Sequence, residues 1–201
     1  GTVNSLNALS KWDIPIHEPP YQAAIHGLVR AIPEQVSLFI PQDISNSLNA
    51  LSKWPISIQE TPYKEAICHL TTIIPEKIAK FHAREIANAL NALSKWPISI
   101  HEPPYQAAIQ ALVRTIPEQA SLFIPQGINN SLNALSKWPI SVHETPYQEA
   151  IHSLMATILK QVNTFSMRDI AGMLNALSKW PISTHASPYQ ETIQALVRAI
   201  P

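Results

Sequence analysis

The aromatic residues of this chain recur at a fixed interval of 42 positions: Trp12, Trp54, Trp96, Trp138 and Trp180; Tyr21, Tyr63, Tyr105, Tyr147 and Tyr189; Phe39, Phe81, Phe123 and Phe165. A period between about 20 and 50 residues marks a repeat architecture, in which a unit cannot bury its apolar face alone and does so by stacking on its neighbours. The constraint extends to function. A chain built in this way repeats a surface along its length, so binding is expected along that surface and not in one deep pocket.

The interval divides the chain into units 1–42, 43–84, 85–126, 127–168 and an incomplete 169–201, read as a single repeat array. Neither end carries the polar terminal unit that such arrays use to stay soluble, so the expectation is a piece of a longer array. No apolar run approaches the roughly 20 residues needed to span a bilayer. The single cysteine, Cys68, excludes an intrachain disulfide framework. Fourteen basic and fourteen acidic residues leave no global field to draw a nucleic acid.

Within the unit 43–84, a first helix is predicted over about 41–54. It contains the septet Leu-Asn-Ala-Leu-Ser-Lys-Trp, identical in all five units. Pro41 and Pro125 suit the first helical position, and Asp43, Glu85 and Asp169 complement the positive helix end. Ser166 and Asp169 form a capping-box-like pair. At 100° per residue, Ile44, Leu48, Leu51 and Trp54 share an apolar arc, opposite Ser45, Asn46, Asn49, Ser52 and Lys53. Pro55, Pro97, Pro139 and Pro181 are read as stops; Asp13 takes that place in unit one.

A second helix opens with Thr145-Pro146-Tyr147-Gln148 or Ser187-Pro188-Tyr189-Gln190, read as an N-cap, a first-turn proline and a capping-box Gln. Tyr63, Ala66, Ile67, Leu70 and Ile74 form its buried stripe. Pro75 then begins a segment carrying Phe81; because Leu159 fills the proline slot in unit four, the segment reads as a kinked continuation of this helix. Glu65, Glu149, Glu191, Arg30 and Arg114 project from its outer arc. The fold class is therefore all-α: an α/α solenoid of five 42-residue helical repeats, the last incomplete. A weaker period of 84 residues also shows, since units one and three share Pro-Glu-Gln and Phe-Ile-Pro-Gln where units two and four carry Phe81-His82-Ala83-Arg84 and Phe165-Ser166-Met167-Arg168.

The motif Ser52-Lys53-Trp54-Pro55, repeated at Ser94–Pro97, Ser136–Pro139 and Ser178–Pro181, resembles the SKWP-repeat family of type III secreted effectors from plant-pathogenic Ralstonia-type bacteria. That resemblance covers the whole chain. It implies a superhelix like those of HEAT and armadillo repeats, and secretion into a host cell. More loosely, residues 41–53 followed by Thr61-Pro62-Tyr63 are similar to the octotricopeptide RNA-binding repeats of organelles, which carry a Trp in the first helix where this chain has Asn49.

Two ladders are the candidate ligand-binding residues: Asn7, Asn49, Asn91, Asn133 and Asn175, with Lys11, Lys53, Lys95, Lys137 and Lys179. Packed helices lie about 8–10 Å apart, so each ladder would follow a groove at that spacing. An Asn side chain both donates and accepts, which suits the backbone of an extended peptide. Structural roles stay open beside this: Asn49 bridging to the next unit, and Lys53 complementing the dipole of its own helix. Slot 45 (Val3, Ser45, Ala87, Asn129 and Ala171) varies most on the polar arc, together with slot 46, and is the candidate for unit-by-unit readout; drift at a tolerant surface position explains it equally well.

No catalytic constellation emerges. His17, His101, His143 and His185, interrupted by Gln59, stand one per unit, too far apart to share a zinc ion. Cys68 and His69 are helix neighbours pointing about 100° apart. No cofactor, metal or small-molecule substrate is expected, and no membrane. The expected function is a non-catalytic scaffold binding a host protein or extended peptide along the first-helix groove. Modular single-stranded RNA binding by the same lysines is the alternative, with the tryptophans either packed between units or partly exposed for base stacking.

Overall fold

The computed structural model describes residues 1–140, 144–180 and 187–200, and every regular element among them is helical. In chain order these are α1 (Thr2–Leu9), α2 (Pro19–Arg30), α3 (Ile32–Gln35), α4 (Pro41–Leu51), α5 (Tyr63–Lys77), α6 (Ala83–Leu93), α7 (Tyr105–Gln119), α8 (Pro125–Leu135), α9 (Tyr147–Gln161), α10 (Met167–Leu177) and α11 (Tyr189–Arg198). A three-residue 3₁₀ turn follows each of α3, α5, α7 and α9.

The helices pack in two rows. The first row is α1, α4, α6, α8 and α10, each against the next; the second is α2 with α3, then α5, α7, α9 and α11. Within a unit, the first-row helix also touches its second-row partner, as in α4 with α5 and α6 with α7. The expected buried stripes are present: Ile44, Leu48, Leu51 and Trp54 in one row, and Tyr63, Ala66, Ile67, Leu70 and Ile74 in the other.

The first helix ends three residues earlier than its sequence suggests, at Leu51. Ser52 stays in the helical region at the C-cap, and its Oγ donates to the carbonyl of Asn49 at 2.9 Å. The same bond joins Ser10 to Asn7, Ser94 to Asn91, Ser136 to Asn133 and Ser178 to Asn175. One otherwise orphaned carbonyl per helix end is thereby satisfied. Helix α1 stops at the same slot with Asp13 in place of the proline, so the proline is not what sets the boundary.

At the start of the second helix the capping-box reading is corrected. Pro62, Pro104, Pro146 and Pro188 occupy the N-cap, where no side-chain oxygen is available, and the helix proper begins at tyrosine. The peptide bonds before these four prolines are cis. The Ser166–Asp169 box does form, with the Asp169 N–H donating to Ser166 Oγ and the Ser166 N–H donating to Asp169 Oδ2. Asp43 and Glu85 likewise accept from the N–H groups of Ile40 and His82. Helices α5 and α7 run through Pro75 and Pro117 without interruption; in unit one a break at Ala31 precedes Pro33.

Contacts between units fix the register. The ring of Tyr63 meets His26 of the preceding unit edge-on at 5.4 Å, and Tyr189 meets His152 in the same way at 5.7 Å. Burial pushes the phenols of Tyr63, Tyr105, Tyr147 and Tyr189 above their ordinary 10.0. Lys77 reaches back to donate to the carbonyls of Ser37 and Phe39 at 2.6 and 2.8 Å, and Gln119 in the same slot donates to the Phe81 carbonyl at 3.4 Å.

Leu90 is fully buried in the middle of the first row, whereas its counterpart Leu174 in α10 is only half-buried. Leu90→Ala is expected to lower the unfolding free energy by about 2–5 kcal/mol. Leu174→Ala should cost distinctly less, which urea unfolding of the two variants will resolve.

Candidate functional site

A first-row helix with neighbours on both sides has little left to offer solvent. Slots 43, 47, 50 and 54 turn toward the preceding unit: Ser47, Ala50 and Trp54 are buried, whereas Ser5, Ala8 and Trp12 of unit one are exposed. Slots 45 and 52 turn toward the following unit, since Ser45 and Ala87 are buried while Ala171 and Ser178 of the last helix are exposed. What remains is a stripe one residue wide at slots 42, 46, 49 and 53, the spacing that keeps side chains on one helical face.

Both ladders lie on this stripe. Asn7, Asn49, Asn91 and Asn133 are half-buried and Asn175 is exposed; Lys11, Lys53, Lys95, Lys137 and Lys179 are all exposed. The lysines lean back across the row. Lys95 Nζ donates to Ser52 Oγ at 3.3 Å, and Lys179 Nζ donates to Asn133 Oδ1 at 3.4 Å, each in the preceding unit. Burial against the row lowers the pKa of Lys95, and the charges of Lys53 and Lys137 lower it further. Lys137 is lowered by burial and by Lys179. The lysines therefore act on one another as a continuous cationic edge.

Slot 45 does not lie on the solvent arc, and the readout assignment is corrected for most of its members. Val3, Ser45 and Ala87 are buried between adjacent first-row helices, Asn129 is half-buried, and only Ala171 is exposed. A 100° wheel treats each helix as though only one side were covered, but here a second flank is covered by the next unit. The variability of slots 45 and 46 has a steric component. A Cβ at Gly172 would collide with the Asn129 carboxamide of the preceding unit, so the large residue at one slot is matched by glycine at the other.

The tryptophans are committed to packing: Trp54, Trp96, Trp138 and Trp180 are each 7% exposed, against 69% for Trp12. They offer no ladder of accessible rings for base stacking. His17, Gln59 and His101 are exposed, while His143 and His185 lie outside the described residues. Among the described residues no group of three or more His, Cys, Asp or Glu is placed to hold a metal ion, and no helix is long and apolar enough to cross a membrane. Cys68 faces the following unit's Tyr105, in the position that His26 takes toward Tyr63.

Two features of this face went unread in the sequence. Slot 42 alternates Gln42, Arg84, Gln126 and Arg168, all exposed, so a second set of cations stands at the other end of the stripe, about 16 Å from the lysines along an 11-residue helical rise. The second is Gly127, which stands where Asp43, Glu85 and Asp169 occur in units two, three and five. It costs α8 an end-complementing acid and about 1 kcal/mol of helix propensity relative to alanine. The backbone does not demand it, for no glycine has positive φ, and a Cβ there would make ordinary contacts of 3.4 Å or more.

Compared with known proteins, the chain matches no family model and no curated protein.

Two outcomes are expected. Gly172→Asn, which introduces the residue found at that slot in the other units, should destabilise the chain by about 1 kcal/mol by turning the Asn129 carboxamide out of its rotamer, and Asn129→Ser should relieve most of that loss in thermal melts. For Lys95, a folded pKa below the ordinary 10.5 means that the unfolded chain holds more protons between the two values, so this group's contribution to stability rises with pH across that window. Lys53→Gln with Lys137→Gln should move the Lys95 midpoint up toward 10.5 in a ¹³Cε NMR titration, without reaching it, because the burial contribution stays.

Proposed function

We propose that the chain is a non-catalytic α/α solenoid of five 42-residue units, HEAT/armadillo-like in plan, which binds an extended segment of a host protein along the face of the first-row helices. In this reading it belongs to a type III secreted effector of the SKWP-repeat kind and works inside a host cell. The observation that carries the binding proposal is the one-residue-wide stripe of Gln or Arg, Asn, Asn and Lys, repeated from helix to helix. Carboxamides at slots 46 and 49 supply donors and acceptors for an unpaired peptide backbone, and the lysine edge favours segments with acidic side chains.

Single-stranded RNA is the second reading, and the pKa values of Lys95 and Lys137, lowered first by burial and then by the charges of ladder lysines in adjacent units, favour it: lysines that feel their neighbours' charges are close enough to share a polyanion. Against it stand the buried tryptophans.

Fluorescence-anisotropy titration at two salt concentrations separates the two. The peptide reading expects binding from an acidic peptide pool that falls at least tenfold in Asn49→Ala/Asn91→Ala and changes modestly with salt. The RNA reading expects binding to a random single-stranded pool that drops steeply with salt, with a slope of about −0.7 per phosphate contacted, and that disappears when all five ladder lysines are alanine. Loss of both asparagines with unchanged binding and a lower melting temperature would assign them a structural role.

A further inference from the structure

The units are not equivalent along the stripe, and one junction stands apart. Between α6 and α8 a cleft of about 310 Å³ opens beside the helix N-termini. It is lined by Arg84 and Asn88 of α6, by Leu122 and Ile124 of the segment before α8, and by Gln126 and Asn130 of α8. Leu122 and Ile124 are 64% and 62% exposed, unusually high for large apolar side chains. None of the lining residues is acidic.

Gly127 accounts for this character. It lies buried at the cleft wall in the slot where the other junctions place a carboxylate. The cleft between α1 and α4 contains Asp43, and the one between α8 and α10 contains Asp169 beside Arg168. Of these three clefts, only the one at the α6–α8 junction has an arginine and no acid in its lining. A residue that is locally poor for its helix, with no backbone need for it, is the pattern expected where binding sets the choice.

We infer that this cleft is a specificity pocket for the bound segment, taking a peptide carboxylate together with an adjoining large apolar side chain. The carboxylate, from an aspartate, a glutamate or a chain terminus, meets the Arg84 guanidinium and the three carboxamides; the apolar neighbour lies on Leu122 and Ile124. A guanidinium with planar donors suits a carboxylate, and the missing slot-43 acid removes the competitor for it. An apolar wall with no accessible aromatic ring fits a peptide better than a nucleotide. The inference rests on the peptide-binding reading of the first-row face and adds where along it selectivity arises.

The test is an amide-shift NMR titration of the whole chain with synthetic nine-residue peptides of Ser and Gly carrying a central Glu-Leu, Gln-Leu or Glu-Ser, and with a nine-nucleotide oligouridine. Glu-Leu is expected to shift the amides of Asn88, Gly127 and Asn130, and to bind at least tenfold more tightly than either other peptide. Gly127→Asp restores the acid of the sister units and should abolish the Glu-Leu response at the cleft while keeping or raising the melting temperature. Arg84→Gln, using the residue that Gln42 and Gln126 place in that slot, should weaken Glu-Leu binding about tenfold and serves independently should the first variant fold poorly. Equal binding of Glu-Leu and Gln-Leu, or wild-type binding by folded Gly127→Asp, overturns the pocket. Shifts confined to Asn49, Asn91 and the lysines overturn it and leave the peptide-binding reading standing. A response to oligouridine with none to any peptide overturns both.

Discussion

The exposed face of the first row follows from lateral burial of its helices. Each has one flank against the preceding unit, one against the following unit, and an inner side against the second row. Solvent keeps only the residues at slots 42, 46, 49 and 53. The chain thus presents a surface whose composition is set four residues at a time, with no room on any one helix for a self-contained site. The same burial takes the tryptophans out of reach and brings the lysines near enough to feel one another.

Much of the fold was legible because the aromatic beat and the apolar arcs carry the same information: Ile44, Leu48 and Leu51 lie where a helical period puts them, and Tyr63 to Ile74 likewise. Boundaries were less legible. The wheel extended the first helix to Trp54, whereas the serine of the repeated motif closes it at Leu51 by bonding the Asn49 carbonyl. That bond gives a physical reason for the constancy of the serine; its acceptor is a main-chain carbonyl, so it makes no demand on the side chain at slot 49. The asparagine has two parts to play: its backbone ends the helix while its side chain faces outward.

The face itself was partly legible. Its Asn and Lys slots were visible as polar positions on one arc, but slot 45 looked equally polar and is covered, because a helical wheel contains no neighbouring unit. Arg84 and Gly127 escaped notice for the opposite reason. Attention to what repeats discards what differs, and in a repetitive chain the departures hold whatever distinguishes one junction from the next. The signal was present in the 84-residue alternation and in the one slot-43 position, of the four first-row junctions, that lacks an acid.

The fit of the Asn129 carboxamide over Gly172 bears on how such a chain can change. Gly172 leaves the space that the Asn129 carboxamide fills, whereas Val3 is followed by Asn46, so each such pair is matched to its own neighbour. A rearrangement that moved one unit without its neighbour would separate such a contact pair. The steric match at this one junction thereby ties two units together, so that the order of the units, and not only their content, shapes the exposed face of the first row.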